Sequence, residues 1–386
     1  MRPPSVVPCA HIYFTLNHQK SKPGIVFGTP EQQAFFKDLR SRVDNYFETT
    51  GQSRYANTTM VVKTIVLLSG YLAGIVLQSV FLPAPILSFG LSVLTGVFLA
   101  GIGMSVMHDA NHGAYSANEK VNRWVGYSLN LLGGMVMNWK MQHNVLHHTY
   151  TNIAGLDEDI DTKLALKLSP HGPTTKAHKY QWFYAFFLYM ILTLYWGLAK
   201  DLVQFFHYKK VGLNKQSKGK NAVWLLKMAI VKIGYFSAFI GIPIYAGMPV
   251  WQAITGFLIM HAVSGWILSV VFQLAHVVPD AYFPQPDEKG LIPYSWAEHQ
   301  LRTTMNFSTK NKWLSWYVGG LNFQVEHHLF TKICHVHYPA ISEIVKKTAA
   351  EYGVPYYEKN TFGEALLEHI AFLRMQGVPK LSDIGG

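Results

Sequence analysis

Two apolar runs, residues 61–82 and 85–107, are parted only by the uncharged turn PAP, and residues 228–246 and 250–275 repeat the arrangement around AGMP. At 1.5 Å of rise per residue, each run is long enough to cross a hydrocarbon core of about 30 Å. Short uncharged turns leave each pair one simple solution, a helical hairpin. The connector 200–227 holds seven lysines and the single acid Asp201. Cytosolic loops carry the excess of Lys and Arg, so both hairpins point away from the cytosol. Lys63 and Lys232 lie near span ends, where a long side chain can snorkel. His261 lies deep in a span and reads either as a functional group or as a hydrogen-bonded packing histidine.

Composition agrees. Of 386 residues 49% are hydrophobic and only 14% charged, whereas a soluble domain carries about 25% charged residues. Cys9 and Cys334 form no CxxC pair and no disulfide framework. The opening MRPPSVVPCAHIYFT lacks the apolar core of a signal peptide, so the N-terminus is expected to stay cytosolic. The net charge of +11 comes with no nucleic-acid motif and reads as attraction to anionic lipid or an acidic partner.

The chain divides into a cytosolic lead-in (1–58), a membrane domain (59–340) and a helical cytosolic tail (341–386). In the lead-in, Thr29 as N-cap, Pro30 and Gly51 bracket a helix. Its stripe Phe35, Phe36, Leu39, Val43 and Phe47 is expected to pack on the rest of the protein, with a helix lying on the membrane surface as the alternative. In the tail, Thr361 and Glu364 make a capping box, and Gly353 and Gly377 are stops. Residues 124–139 are too short to cross. The aromatic run 182–199 is either a fifth span or a helix at the interface. GIGMSV at 101–106 resembles a dinucleotide-binding turn but follows no strand and is set aside.

Eighteen histidines are present, and they cluster at the span ends. HDANH (108–112) follows the second span, HNVLHH (143–148) follows a short apolar loop, His276 ends the fourth span, and QVEHH occupies 324–328. His108 and His112 share a helix face, as do His143 and His147; His148 adds a neighbouring direction, and His327–His328 repeats the doublet. Neutral imidazole suits zinc, copper, nickel and iron. A structural zinc takes four ligands, so eight histidines point to two metals. For all eight to meet, they must lie on one membrane face. A crossing by 182–199 would put His276 and His327 opposite His108, so that run is expected at the interface. The fold class is therefore an all-α integral membrane protein, with four transmembrane helices in two hairpins and a cytosolic helical cap holding the histidines.

HDANH, HNVLHHTYTN and QVEHHLF resemble the three histidine boxes of the integral-membrane fatty acid desaturases, over roughly residues 60–340. The resemblance implies two iron ions held by His108, His112, His143, His147, His148, His276, His327 and His328 on the cytosolic face. It implies O2 and two external electrons converting CH2–CH2 of an acyl chain into a cis double bond. The acyl chain would be carried on CoA, lipid or a carrier protein. Gln324 stands where many members have a further histidine, which resembles the front-end desaturases. As an amide it is a weak ligand, or binds through water. Glu326 points elsewhere on its helix.

There are departures. Many front-end members carry a fused cytochrome b5 with an HPGG motif; HPGG does not occur here, so a separate ferredoxin or cytochrome b5 is the expected electron donor. The wording HNVLHHTYTNIAGLDEDID is similar to bacterial acyl desaturases, which implies a bacterial inner membrane. Where other members have an asparagine before the lone histidine, this chain has Phe272, with Gln273 beside it. Asp109, Asn111, Asp157 and Asp159 can orient ligands, but the run Asp157–Asp161 reads first as a solvated turn. His299, His335 and His337 read as hydrogen-bonding or headgroup contacts. A membrane di-iron hydroxylase shares the boxes, and a metal transporter is the rival from another class, though transporters hold ligands at midplane.

Overall fold

The structure, a computed structural model, describes residues 24–28, 33–161 and 165–378; Cys9, Thr29 and Pro30 lie outside them. Among the described residues, five helices are long and apolar enough to cross a membrane: Thr58–Phe81 (α2), Pro85–His112 (α3), Lys176–Lys210 (α7), Lys218–Tyr245 (α8) and Val250–His276 (α9). The spans read from sequence coincide with four of them, 61–82 and 228–246 each ending one residue past the helix, while the helices begin earlier or run further elsewhere. In particular, α8 begins ten residues before 228, and α3 continues through the first histidine box without a break.

The lead-in helix Ala34–Thr50 (α1) ends at Gly51 with φ 66°. It buries Phe35, Leu39, Val43 and Phe47, as its stripe requires, among Ile341 and Val345 of Tyr338–Glu351 (α13). Segment 119–139 forms the short helices Glu119–Gly126 (α4), Ser128–Leu131 (α5) and the start of a helical run, α6, over residues 136–150. Trp296–Thr303 (α10), Lys312–Tyr317 (α11) and Gln324–Leu329 (α12) follow α9, and Phe362–Gln376 (α14) closes the fold with the Thr361–Glu364 capping box. The all-helical expectation needs one small correction. Val26–Phe27 pairs parallel to Leu291–Ile292, and Asn306–Phe307 parallel to Glu358–Lys359. Those two-residue ladders staple the termini to the central region.

Small residues let the long helices approach closely, as they do where lipid gives helices no hydrophobic reason to associate. A Cβ on Gly96 of α3 would stand 2.6 Å from Met260 O of α9, and one on Gly265 of α9 would stand 2.7 Å from Tyr189 O of α7. The outward faces are apolar and exposed, with Val80, Ile86, Ile230 and Ile233 among them.

α7 spans 35 residues rather than the 182–199 read from sequence. It is interrupted by a π-helical turn at Trp196–Lys200. Lys232 does not simply snorkel: its ammonium donates to Trp196 O in that turn (2.7 Å) and to Asp201 Oδ2 (2.7 Å). The ammonium thus satisfies a carbonyl of the π-helical turn and a fully buried carboxylate together.

Candidate metal centre

Each histidine box rides on an element whose local geometry aims it inward. His108 and His112 occupy the last turns of α3, just past a π-helical turn at Ile102–Val106. His143 and His147 sit in a second π-helical stretch, Lys140–His147, with their rings stacked 5.3 Å apart. Widened turns of this kind recur at functional sites, because one extra residue re-aims the side chains that follow. His276 ends α9, and His327 and His328 lie on α12.

All eight side chains are buried and converge. The ligating nitrogens of His108, His112, His143 and His327 lie within 4.8 Å of one another, and so do those of His147, His276 and His328. His148 joins His327 and His328 in a third group, bridging the two nests. His112 Nε2, His147 Nε2 and His327 Nε2 are sealed from water without a hydrogen-bond partner. Such a nitrogen costs about 1–3 kcal/mol. Bare imidazole lone pairs directed into two shared spaces fit two borderline-soft metal ions.

In four of the eight rings the Nδ1 is held. His147 Nδ1 meets both Asp157 oxygens at 3.1 and 3.2 Å, and Asp157 accepts the N–H groups of Asn152 and Asp159. His328 Nδ1 lies 2.8 Å from Gln300 Oε1, His276 Nδ1 3.3 Å from Thr303 O, and His327 Nδ1 3.3 Å from the Tyr338 hydroxyl. Fixing Nδ1–H in this way leaves Nε2 as the donor atom. Burial above all, then the neighbouring imidazoles, pushes His143, His148, His327 and His328 well below the ordinary histidine range, so they are neutral and able to ligate. Burial also lowers His147, but the Asp157 carboxylate outweighs it and raises that ring.

Asp157 corrects the sequence reading. It is fully buried against His147 rather than in a solvated turn; Asp159 is half-buried, 3.5 Å from His147. Asn152 and Gln300 were missed altogether. Asn152 takes φ 59° and donates to His276 O, joining the second box to the lone histidine. Its signal was an asparagine four residues past the box, a residue type that tolerates left-handed backbone.

The other candidates separate cleanly. Gln324 Nε2 lies 2.9 Å from His276 Nε2, so its amide faces the second nest. Glu326 turns away to Asn306 and Tyr356, and burial raises its carboxyl to about 7. Asn111 donates to Gly126 O. His261 satisfies both nitrogens on Tyr235 and Thr193 and is a packing residue. His299 packs on Phe27, and burial lowers it to about 3; His337 bonds Tyr55 O. Asp109, Cys334 and His335 also converge. There the cation's place belongs to Lys63, only 1% exposed, whose ammonium lies 2.7 Å from His335 Nε2 while His335 Nδ1 reaches Asp109.

Residues 84–360 match the fatty acid desaturase family. The chain belongs to that family. An sn-1 linoleoyl-lipid 6-desaturase of Synechocystis sp. is 35% identical over 353 residues, covering 90% of this chain and 96% of its own length. A protein of the same description from Arthrospira platensis is 34% identical, covering 89% and 93%. An acyl-lipid (8-3)-desaturase of Physcomitrium patens is 32% identical, covering 92% of this chain and 74% of its own. Neither the hydroxylase nor the transporter alternative is the family that matches.

The desaturase has a cavity of about 730 Å³ beside its histidines, and His108, His143 and Gln324 form part of its wall. One stretch is polar, with Gln142, Asp159, Lys200 and Gln204. The other is apolar, walled by Leu99, Gly103, Leu132 and Leu268. A shaped apolar slot beside a cluster of histidines suits an extended apolar ligand.

Proposed function

We propose that the desaturase holds two iron ions, one among His108, His112, His143 and His327 and the other among His147, His276 and His328. His148 lies between them, and Gln324 serves the second directly or through water. The observation that carries the reading is the pair of imidazole nests beside one largely apolar cavity, whose wall includes His108 and His143 of the first nest and Gln324, which reaches His276 of the second. Bound there, iron supplies the oxidising power that an unactivated C–H bond demands. The protein's own share is positional. Asp157, Gln300 and Thr303 hold ligand rings by Nδ1, the apolar wall excludes water, and the cavity threads the acyl chain past the centre. One hydrogen leaves each of two adjacent methylenes. With O2, two external electrons and two protons, the products are a cis alkene and two waters.

The substrate is an acyl chain esterified to membrane lipid, as the names of the relatives indicate for those proteins. Asp157, Glu158, Asp159 and Asp161 line the polar stretch against Lys200 and His207, which disfavours the multiply charged phosphates of CoA. Insertion on the carboxyl side of an existing double bond is supported by the cavity's asymmetry. Polar Gln142 is the immediate neighbour of His143, while the apolar arm runs on past Gly103 to Leu99. Electrons come from a separate ferredoxin or cytochrome b5, for which the +11 balance suits an acidic partner.

Four spans, α2, α3, α8 and α9, carry the centre on the cytosolic face of a bacterial inner membrane. They belong to a membrane domain of residues 59–340, between a lead-in of 1–58 and a tail of 341–386. We place α7 along the interface, and two contacts tie it to the surroundings of the centre. Tyr189 bonds His369, which bonds Val277 O beside His276, and Gln204 bonds Gln142 beside His143.

The test is fatty acid profiling of a host expressing the chain, fed saturated, mono- and diunsaturated acids, with iron analysis of the purified protein. New double bonds toward the carboxyl end, two irons per chain, and loss of both in His327→Ala are expected. A hydroxy acid product, or full desaturation by protein stripped of iron, would refute the reading.

A further inference from the structure

The cavity wall contains one glycine whose role differs from that of the helix-packing glycines. At Gly96 and Gly265 an added Cβ strikes the backbone of a neighbouring helix, so those positions exist for close approach. At Gly103 the nearest atoms it would meet are side-chain ends: Leu268 Cδ2 at 3.3 Å and Cδ1 at 3.6 Å, and Leu132 Cδ1 at 3.9 Å. All three residues line the cavity, from α3, from the end of α5 and from α9. Gly103 lies in the π-helical turn Ile102–Val106, which re-aims this face of α3.

Position along α3 gives the depth. At 1.5 Å per residue, Gly103 stands about 7.5 Å below His108, and Leu99, which also lines the cavity, about 13.5 Å below. The passage from the histidines to Leu99 therefore runs by Gly103, which itself adds no side chain and faces two leucines, with Met104 and Met107 of α3 also in the wall. Resting on the acyl reading of this cavity, we propose that Gly103 is the aperture of its apolar arm and determines how much acyl chain fits beyond the reacting carbons. Leu132 and Leu268 are the opposing jaws.

A larger residue at 103 must fill the passage or push the leucines aside. Excluding a methylene from an apolar pocket changes selectivity by on the order of ten-fold or more. The experiment feeds cells a mixture of otherwise equivalent acids of graded chain length and reads the ratio of long to short products. Taking the ratio within one culture removes differences in expression. Gly103→Ala should lower the ratio modestly and Gly103→Leu by ten-fold or more, with short substrates still converted. Leu268→Ala should raise it, and Leu268→Ala combined with Gly103→Ala should return it toward wild type. The Leu268→Ala arms stand even if Gly103→Leu does not fold. Active variants with an unchanged ratio would overturn the aperture alone, as would Gly103→Ala lowering all chain lengths equally. A wild-type chain that desaturates nothing would instead overturn the acyl reading beneath it.

Discussion

Replacing Asp157 by asparagine removes a charge and almost no volume, which isolates what the carboxylate does. In the native chain its two oxygens serve three donors: His147 Nδ1–H at 3.1 and 3.2 Å, Asn152 N–H at 2.9 Å and Asp159 N–H at 3.0 Å. Asparagine has one acceptor oxygen. Whichever way its amide turns, the NH2 faces one of the two backbone N–H groups, and the remaining oxygen is a neutral, weaker partner for His147. The imidazole loses the group that fixes Nδ1–H and makes Nε2 a better donor. Comparable partners of metal-bound histidines are worth 10- to 100-fold in metal affinity, or about 1.4–2.7 kcal/mol. Purified Asp157→Asn should lose half its iron at a chelator concentration 10- to 100-fold lower than wild type. Excess iron should restore part of its desaturation. If the variant kept iron as tightly as wild type with helicity unchanged, the claim that Asp157 orients His147 would be wrong.

Gln300→Leu strips His328 of its Nδ1 partner at 2.8 Å; a similar loss of iron affinity is expected in the same chelator titration. Lys63→Met leaves Asp109 and His335 without their ammonium in a site where all three are buried. Stability should fall by about 3–5 kcal/mol, and because the groups share one network, Lys63→Met with Asp109→Asn should cost less than the sum of the singles, measured by thermal unfolding in detergent. His299 is held to about 3 by burial. The unfolded chain takes up its proton near pH 6.5 and the folded chain only near 3, so stability present above 6.5 falls with pH across that window, by at most about 1.4 kcal/mol per unit. His299→Phe should flatten that part of a pH–stability curve in detergent.

The paired spans and the eight histidines were legible because both signals are local: run length, uncharged turns, and boxes at four-residue or adjacent spacing. Residues whose meaning lies in a distant partner were not. Asp157 sits in an acidic run that looks like a solvated turn. It is buried because Asn152 turns the chain left-handed and folds the loop back under His147. Gln300 lies 28 residues before His328, with nothing in its neighbourhood to mark it. Lys63 and Lys232 looked like snorkelling side chains, since a lysine near a span end carries the same pattern whether it meets water or a buried carboxylate. The π-helical turns left no compositional trace, although they set where His108 and His143 point.

α3 carries bilayer-facing residues at one end and His108 and His112 at the other, and α9 does the same for His276. These helices are therefore struts between the lipid and the reacting groups. When a bilayer thickens or thins, a span answers by tilting, and a tilt of α3 reaches His108 with only the π-helical turn at Ile102–Val106 to absorb it. The product of such an enzyme is a kinked chain that thins and loosens the bilayer. The architecture thus sets the proposed metal centre on the beams that feel the membrane property its own reaction changes.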